Sequence, residues 1–257
     1  MRPFDAALQA SLYGRKQPSV PEVLASFGAN ARGWWTVYDP ALPSDPGITL
    51  SSGAVQSWQD QLNGFVLSAL GASQRPSYAA DGSNFGGRPV VQTAASSTRI
   101  LQGTFGSAWL AGGERLAMFT AMRLRTSAHF VFLYEVSDGT TDRGIWFYTD
   151  TSNSSFNAGP NGGVLTLAGE LDVTPHVTLV HMRATANKRL ELQPEGVSTT
   201  YASTAALAGQ LTQVTLGARR TPSGPGDWSI AEVIGCRDLS DAQAASVVAA
   251  MRAKWTI

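Results

Sequence analysis

Hydrophobic runs rich in β-branched and aromatic residues recur from Trp34 to Cys236, and polar clusters of Gly, Ser, Asn, Asp and Pro separate them. Short runs of this kind between turn-forming clusters are typical of β-strands. Several runs are apolar on both faces, as strands in a layered sandwich are. The clearest runs are Arg115–Leu124, His129–Val136, Arg143–Asp150, His176–Arg183, Arg189–Gln193, Gln213–Ala218 and Trp228–Cys236.

The C-terminal residues follow a helical pattern instead. Ser240 is a preferred N-cap, and Gln243 three residues later completes a capping box. Apolar residues then recur at helical spacing as far as Trp255. The pattern predicts a closing helix over residues 240–255, with its apolar side on the sandwich.

Residues 1–32 lack the strand pattern. Phe4–Tyr13 has the spacing of one short helix, and Val23, Leu24 and Phe27 predict a second helical turn after a proline. Helices this short do not form a core of their own. We therefore predict an N-terminal docking or linker segment over 1–32 and a sandwich domain over 33–257. The segment either packs on the sandwich or docks onto another chain.

Composition supports an all-β class and argues against several kinds of partner. Charged residues make up 15% of the chain, below the usual quarter, and Gly occurs 26 times. The 19 basic and 19 acidic residues balance, and no basic stripe is present, so we expect no nucleic-acid partner. No apolar run is long enough for membrane insertion or for a signal peptide, so we expect synthesis in the cytoplasm.

Two ordered sets of residues resemble a known family. The first set is Gly33–Asp39, Ile48–Leu50, Val55–Asp60, Arg75-Pro76 and Gly87–Val91; the second is Ile230–Ile234, Asp238–Gln243 and Lys254-Trp255. Together they resemble the concanavalin A-like, or laminin-G-like, jelly-roll domains of bacterial surface proteins and phage particles. The resemblance implies an all-β, antiparallel β-sandwich (a concanavalin A-like jelly roll), here with a short N-terminal helical segment and a C-terminal helix. Its relatives bind carbohydrate, bind protein, act as structural modules or cleave polysaccharides, and fold alone does not choose among these roles.

Several residues of these motifs have a structural interpretation. Trp34, Trp35, Trp58 and Trp255 favour core or rim packing, with ligand stacking as the alternative. Asp39 and Asp60 follow aromatic residues at predicted turns, where a carboxylate commonly accepts bonds from backbone N–H groups. Glu232 lies in an apolar strand, where a carboxylate needs a partner. We interpret Glu232 as a structural carboxylate, and the candidate partners are Arg219, Arg220 and Arg237.

No catalytic pattern is evident. Retaining glycosidases place two carboxylates about 5–5.5 Å apart. Glu170 and Asp172 have a suitable spacing but precede a proline, and Glu135 lies close to a turn at Asp138-Gly139. No histidines have metal-ligand spacing, and the single Cys236 lies in an apolar run, so we expect neither a metal nor a thiol nucleophile. We expect a non-enzymatic module, with a polysaccharide-active hydrolase or lyase as the alternative.

A carbohydrate site needs only an aromatic plate and a few hydrogen-bonding groups. Trp146 and Tyr148 share one strand face, and Asn153 and Asn157 follow them. These four residues are the predicted carbohydrate-binding set, with core burial of Trp146 as the alternative. We expect no cofactor; Ca²⁺ is conceivable, but the aspartate spacing does not match a calcium loop.

These observations predict a non-catalytic binding or structural module of a phage or phage-like virion, in a tail, a fibre or a capsid decoration. The predicted partners are other virion proteins, contacted through residues 1–32, and a surface glycan. Oligomerisation within the assembly is expected. The remaining alternative is a purely structural assembly protein with no small ligand.

Overall fold

Strand pairing in the computed structural model is antiparallel wherever the chain is described. The described residues are 17–40, 46–94, 99–105, 109, 114–125, 132–139, 144–149, 155–159, 165–168, 174–182, 187–193, 197–202, 210–218 and 226–257. The predictions for Phe4–Tyr13, Glu170, Asp172, Asn153 and the Arg219-Arg220 pair lie outside these residues.

Seventeen strands occur within the described residues. They are β1 (Ala31–Thr36), β2 (Ile48–Ser51), β3 (Ala54–Gln59), β4 (Val66–Ser68), β5 (Ser77–Ala80), β6 (Pro89–Gln92), β7 (Leu101–Thr104), β8 (Leu116–Leu124), β9 (Phe132–Ser137), β10 (Gly144–Thr149), β11 (Ser155–Gly159), β12 (Leu165–Ala168), β13 (His176–Met182), β14 (Asn187–Gln193), β15 (Val197–Ala202), β16 (Gln213–Leu216) and β17 (Trp228–Arg237).

The strands form one long sheet that curls into two layers. The first layer has the order β15-β14-β13-β8-β17, and both β1 and β6 pair with β17. The second layer has the order β2-β3-β4-β7-β16-β9-β10-β11-β12. Strand β5 pairs with both β6 and β3 and so connects the layers. This architecture confirms the predicted antiparallel β-sandwich.

Tryptophans fill much of the core. Trp35, Trp58, Trp109 and Trp228 are fully buried. The Trp109 ring lies so close to Gly235 that a Cβ atom there would be 2.2 Å from the ring. A glycine at this position of β17 therefore lets the largest side chain pack directly on the backbone.

Two α-helices occur among the described residues. Helix α1 (Val20–Ala25) buries Val20, Val23 and Leu24 in the core and contacts helix α2 (Asp241–Trp255). Of the two outcomes left open for this N-terminal helical turn, the structure therefore shows packing on the sandwich.

Helix α2 begins at the predicted capping box. The Ser240 backbone N–H donates to Gln243 Oε1 at 2.9 Å, and the Gln243 N–H donates to Ser240 Oγ at 3.3 Å. The helix lies on β8 and β13 of the first layer and ends with Trp255 buried. The predicted closing helix is confirmed.

Candidate functional site

A single row of side chains crosses the outer face of the second layer. Residues that are directly opposite each other in an antiparallel pair lie on the same face of the sheet. The register pairs Ser57 with Ser68, Ser68 with Gln102, Gln102 with Thr215, Thr215 with Glu135, and Glu135 with Trp146. We call these six residues the outer row.

The residues that alternate with the outer row identify its face. Trp58, Leu67, Leu101, Leu216 and Phe147 each neighbour a member of the row along the chain, and all are buried in the hydrophobic core. Successive side chains of a strand point to opposite faces, so the outer row points away from the core.

A second set of polar residues runs beside the outer row. Thr104 pairs with Gln213, and Gln213 pairs with Ser137. Gln213 Nε2 donates to Thr104 Oγ1 at 3.1 Å, and Gln102 Nε2 donates to Thr215 Oγ1 at 2.9 Å. These bonds fix two glutamine amides, both partly exposed, near the middle of the face.

Aromatic side chains stand at one end of the outer row. Trp146 and Tyr148 lie on the same face of β10, and both are partly exposed, whereas Phe147 between them is fully buried. Tyr148 stacks on the partly exposed Phe132 with ring centroids 4.9 Å apart. Core burial of Trp146, the alternative from the sequence, is therefore wrong, because Phe147 takes the core position.

The register also places one predicted asparagine here. Asn157 of β11 pairs directly with Tyr148 of β10. Asn153 lies outside the described residues. Sequence reasoning missed Phe132, Gln102 and Gln213, although the alternation of polar and apolar residues in β7 and β16 was a usable signal.

Glu135 lies next to Trp146 in the outer row. Its side chain is fully buried, as are those of Ser137 and Thr215. The sequence placed Glu135 close to a turn, whereas the structure places it inside β9, between Thr215 on one side and Trp146 on the other. The row thus has two buried polar members, Thr215 and Glu135, between the partly exposed Gln102 and Trp146.

A shallow depression of about 350 Å³ lies near Gly47, Gln61 and Gly64, beyond the β3 side of the row. Asp60 borders it, and the Asp60 carboxylate accepts backbone N–H bonds from Leu62 at 2.8 Å and from Phe65 at 2.5 Å. These bonds confirm the turn role predicted for Asp60. The Asp60 carboxylate at this depression is therefore engaged by the loop backbone, which gives it a structural role.

Glu232 lies on the first layer, beneath helix α2, and is fully buried. Its Oε1 accepts hydrogen bonds from Lys254 Nζ at 2.7 Å and from Trp34 Nε1 at 2.5 Å, and its Oε2 accepts one from Trp255 Nε1 at 2.7 Å. Lys254 Nζ also contacts Asp39 Oδ2 at 3.0 Å. We call Glu232, Lys254 and Asp39 the helix-anchoring cluster.

The partner of Glu232 therefore differs from the predicted arginines. Arg237 instead pairs with Glu114 at 2.5 Å and donates to Asn30. The register of β17 against β8 shifts between Ile230 and Glu232, which is a β-bulge. A bulge breaks simple alternation, so Ile230 and Glu232 are not on one face as the sequence suggested.

Neither a clustered metal site nor a membrane-spanning helix occurs in the described part of the chain. No group of three or more potential metal-ligating side chains occurs among those residues. None of the helices described there is long and apolar enough to cross a membrane.

Comparisons with known proteins bear on the fold. No protein-family model matches the sequence, and no curated protein matches it. Several solved structures match the fold. An arabinofuranosidase complexed with arabinofuranosyl-α-1,2-xylobiose has a TM-score of 0.58 and 13% identity, covering 77% of this chain and 51% of the enzyme.

Two further structures match with similar scores. Trypanosoma rangeli sialidase in complex with the inhibitor DANA has a TM-score of 0.52 and 10% identity, covering 95% of this chain and 39% of the sialidase. The botulinum neurotoxin serotype D binding domain has a TM-score of 0.53 and 6% identity, covering 88% of this chain and 52% of that domain. At these identities the likeness shows the fold alone. This chain spans about half the length of the arabinofuranosidase, and less of the sialidase.

Proposed function

We propose that this chain is a glycan-binding module and that the outer face of its second layer is the binding face. The observation that carries the proposal is the strand register. It places the partly exposed aromatic rings of Trp146, Tyr148 and Phe132 at one end of a face that also carries the amides of Gln213, two strands from β10, and of Gln102, three strands from β10. Sugar rings have apolar C–H faces that pack on aromatic rings, and sugar hydroxyls exchange hydrogen bonds with amides.

The names of the similar structures agree with a sugar ligand. One is an arabinofuranosidase complexed with arabinofuranosyl-α-1,2-xylobiose and another is a sialidase, and the fold of this chain matches part of each. Their agreement supports the proposal only as far as the class of ligand, since fold does not determine function.

We favour binding over catalysis because of the carboxylates. Glu135 and Glu232 are both fully buried, and Glu232 is held by Lys254 beneath α2. Among the described residues of the outer row, Glu135 is the only carboxylate, whereas acid–base hydrolysis of glycosides uses two. The alternative of a hydrolase or lyase predicts release of reducing ends or unsaturated products from a polysaccharide panel, lost in Glu135→Gln.

The finer assignment is a concanavalin A-like jelly roll carried by a phage or phage-like particle. It is supported by the ordered motifs at Gly33–Asp39 and Asp238–Gln243. The docking segment of this assignment is residues 1–32, and because α1 within it is buried in the core, a test of docking should leave α1 in place. A protein that lacks residues 1–16 should fail to join the assembled particle. Its presence on the particle at the same copy number as the full-length protein would contradict the docking role.

A glycan array tests the binding function itself. We expect binding above background that Trp146→Ala weakens about tenfold or more, as loss of one aromatic packing contact worth about 1.5 kcal/mol predicts. Trp146→Phe should retain most of the affinity, because it keeps a ring. Leu70→Ala is the matched surface control, since Leu70 is 51% exposed and lies outside the outer row. An array with no binding above background would favour the purely structural alternative.

A further inference from the structure

We propose that the ligand is an uncharged glycan bound as an extended chain across the strands, from Trp146 to Ser57. This inference rests on the proposed glycan-binding function and adds the length and the charge of the ligand. It starts from the direction of the outer row, which runs perpendicular to the strands.

The length of the row sets the length of the ligand. From β10 the row passes to β9, β16, β7, β4 and β3, which makes five steps between neighbouring strands. Neighbouring strands lie about 4.8 Å apart, so the row is about 24 Å long. A sugar ring in a chain occupies about one such spacing, so about four or five rings match the row.

The exposure of the side chains along the row shows where a bound glycan chain can contact the protein. Trp146 is partly exposed at one end, Ser68 is exposed near the other, and Ser57 is partly exposed. Between them Thr215 and Glu135 are buried, and the partly exposed amides of Gln102 and Gln213 are the groups a ligand meets there. Contact groups therefore occur at both ends of the row and at Gln102, with Gln213 beside the two buried members, so they are not confined to the aromatic end.

The chemistry of the row favours neutral sugars. Acidic sugars are commonly recognised by Arg or Lys, which pair with carboxylate groups. Within the described outer row the one ionisable side chain is that of Glu135, a carboxylate, and the other polar members carry hydroxyl or amide groups. Hydroxyls and amides match the hydroxyls of a neutral chain.

Calorimetric titration with oligosaccharides of increasing length tests the inference. The probes are xylo- and cello-oligosaccharides of one to six units, with oligogalacturonates of equal length as the acidic series. We expect affinity for one neutral series to rise at least tenfold between two and five units and then to level off. The acidic series should bind more weakly at every length.

Variants then locate the far end of the chain. Ser68→Trp places a bulky side chain about four strand spacings from Trp146, so it should lower pentasaccharide affinity to that of the disaccharide. Disaccharide affinity should not change. Ser83→Trp is the matched control, because Ser83 is exposed in the turn before β6 and lies outside the row.

The outcomes separate this inference from the proposed function. Equal affinity for two and five units, with binding still dependent on Trp146, would overturn the extended chain and leave glycan binding standing. Tighter binding of the acidic series would overturn the neutral ligand. If neither series showed binding that depends on Trp146, both the inference and the proposed function would be overturned.

Discussion

Replacing Lys254 by methionine tests the role of the helix-anchoring cluster. The Lys254 side chain is 7% exposed, and its ammonium group contacts Glu232 at 2.7 Å, Asp39 at 3.0 Å and Thr36 Oγ1 at 2.9 Å. Methionine keeps a similar length and apolar stem but removes the cation. It leaves the Glu232 and Asp39 side chains, 0% and 1% exposed, without this partner.

The expected magnitude follows from the burial of these charges. Removing one partner of a buried ion pair costs about 3–5 kcal/mol, because the remaining charge stays buried and uncompensated. For an m-value of about 2 kcal/mol/M in urea, a loss of about 4 kcal/mol lowers the unfolding midpoint by about 2 M. The measurement is urea unfolding at pH 7 and 25 °C, followed by tryptophan fluorescence.

A double-mutant cycle supplies the control. Glu232→Gln removes one charge and keeps one of the two oxygens that accept from Trp34 and Trp255, so it carries a cost of its own. The Lys254→Met/Glu232→Gln protein should nevertheless lose less stability than the two single losses added together, because neither charge is then left buried without the other. If the free energy of unfolding of Lys254→Met were within about 0.5 kcal/mol of the wild-type value, the cluster would not anchor α2. Our interpretation of Glu232 as a structural carboxylate would then be refuted.

Three further predictions concern the rest of the fold. Gly235→Ala should destabilise the protein by about 1–3 kcal/mol in urea unfolding, because the new Cβ meets the Trp109 ring; a neutral effect would mean that the ring moves aside at little cost. Leu24→Ala should cost about 2–5 kcal/mol, measured by thermal and urea unfolding, since Leu24 of α1 is 1% exposed; unchanged stability would show that α1 is dispensable. Burial raises the pKa of the Cys236 thiol to about 12, so native protein should react with Ellman's reagent at pH 8 only on unfolding, and fast native labelling would contradict this. The folded pKa of this thiol lies above the unfolded value, so its contribution to stability is complete below about pH 8.5 and is lost as the pH rises towards 12. Cys236→Ala should therefore remove this part of the decrease in the free energy of unfolding with pH.

Local pattern was sufficient to predict the main elements of the fold. Short β-rich runs bounded by turn-forming residues identified strands such as β8 and β17, and the Ser240–Gln243 capping box located the start of α2 within one residue. These signals are local, because each depends on residues a few positions apart in the chain.

The candidate site was only partly predictable because it depends on pairing between distant strands. Alternation within β10 was enough to put Trp146 and Tyr148 on one face. It gave no means of pairing Gln102 with Thr215, which are 113 residues apart, or of predicting that Phe147 rather than Trp146 enters the core. The partner of Glu232 was missed for a similar reason, since Lys254 reaches it from a separate helix, past a bulge in β17.

The position of a bound glycan on the protein tests the central claim most directly. We would record ¹H–¹⁵N spectra of the labelled protein during titration with a neutral pentasaccharide that binds on the array. The proposed face predicts shifts of the Trp146 indole N–H and of the Gln102 and Gln213 side-chain amides. The indole N–H groups of Trp34 and Trp255, which bond to Glu232 under α2, should stay in place. Shifts confined to the first layer, with none at Trp146, would contradict the account.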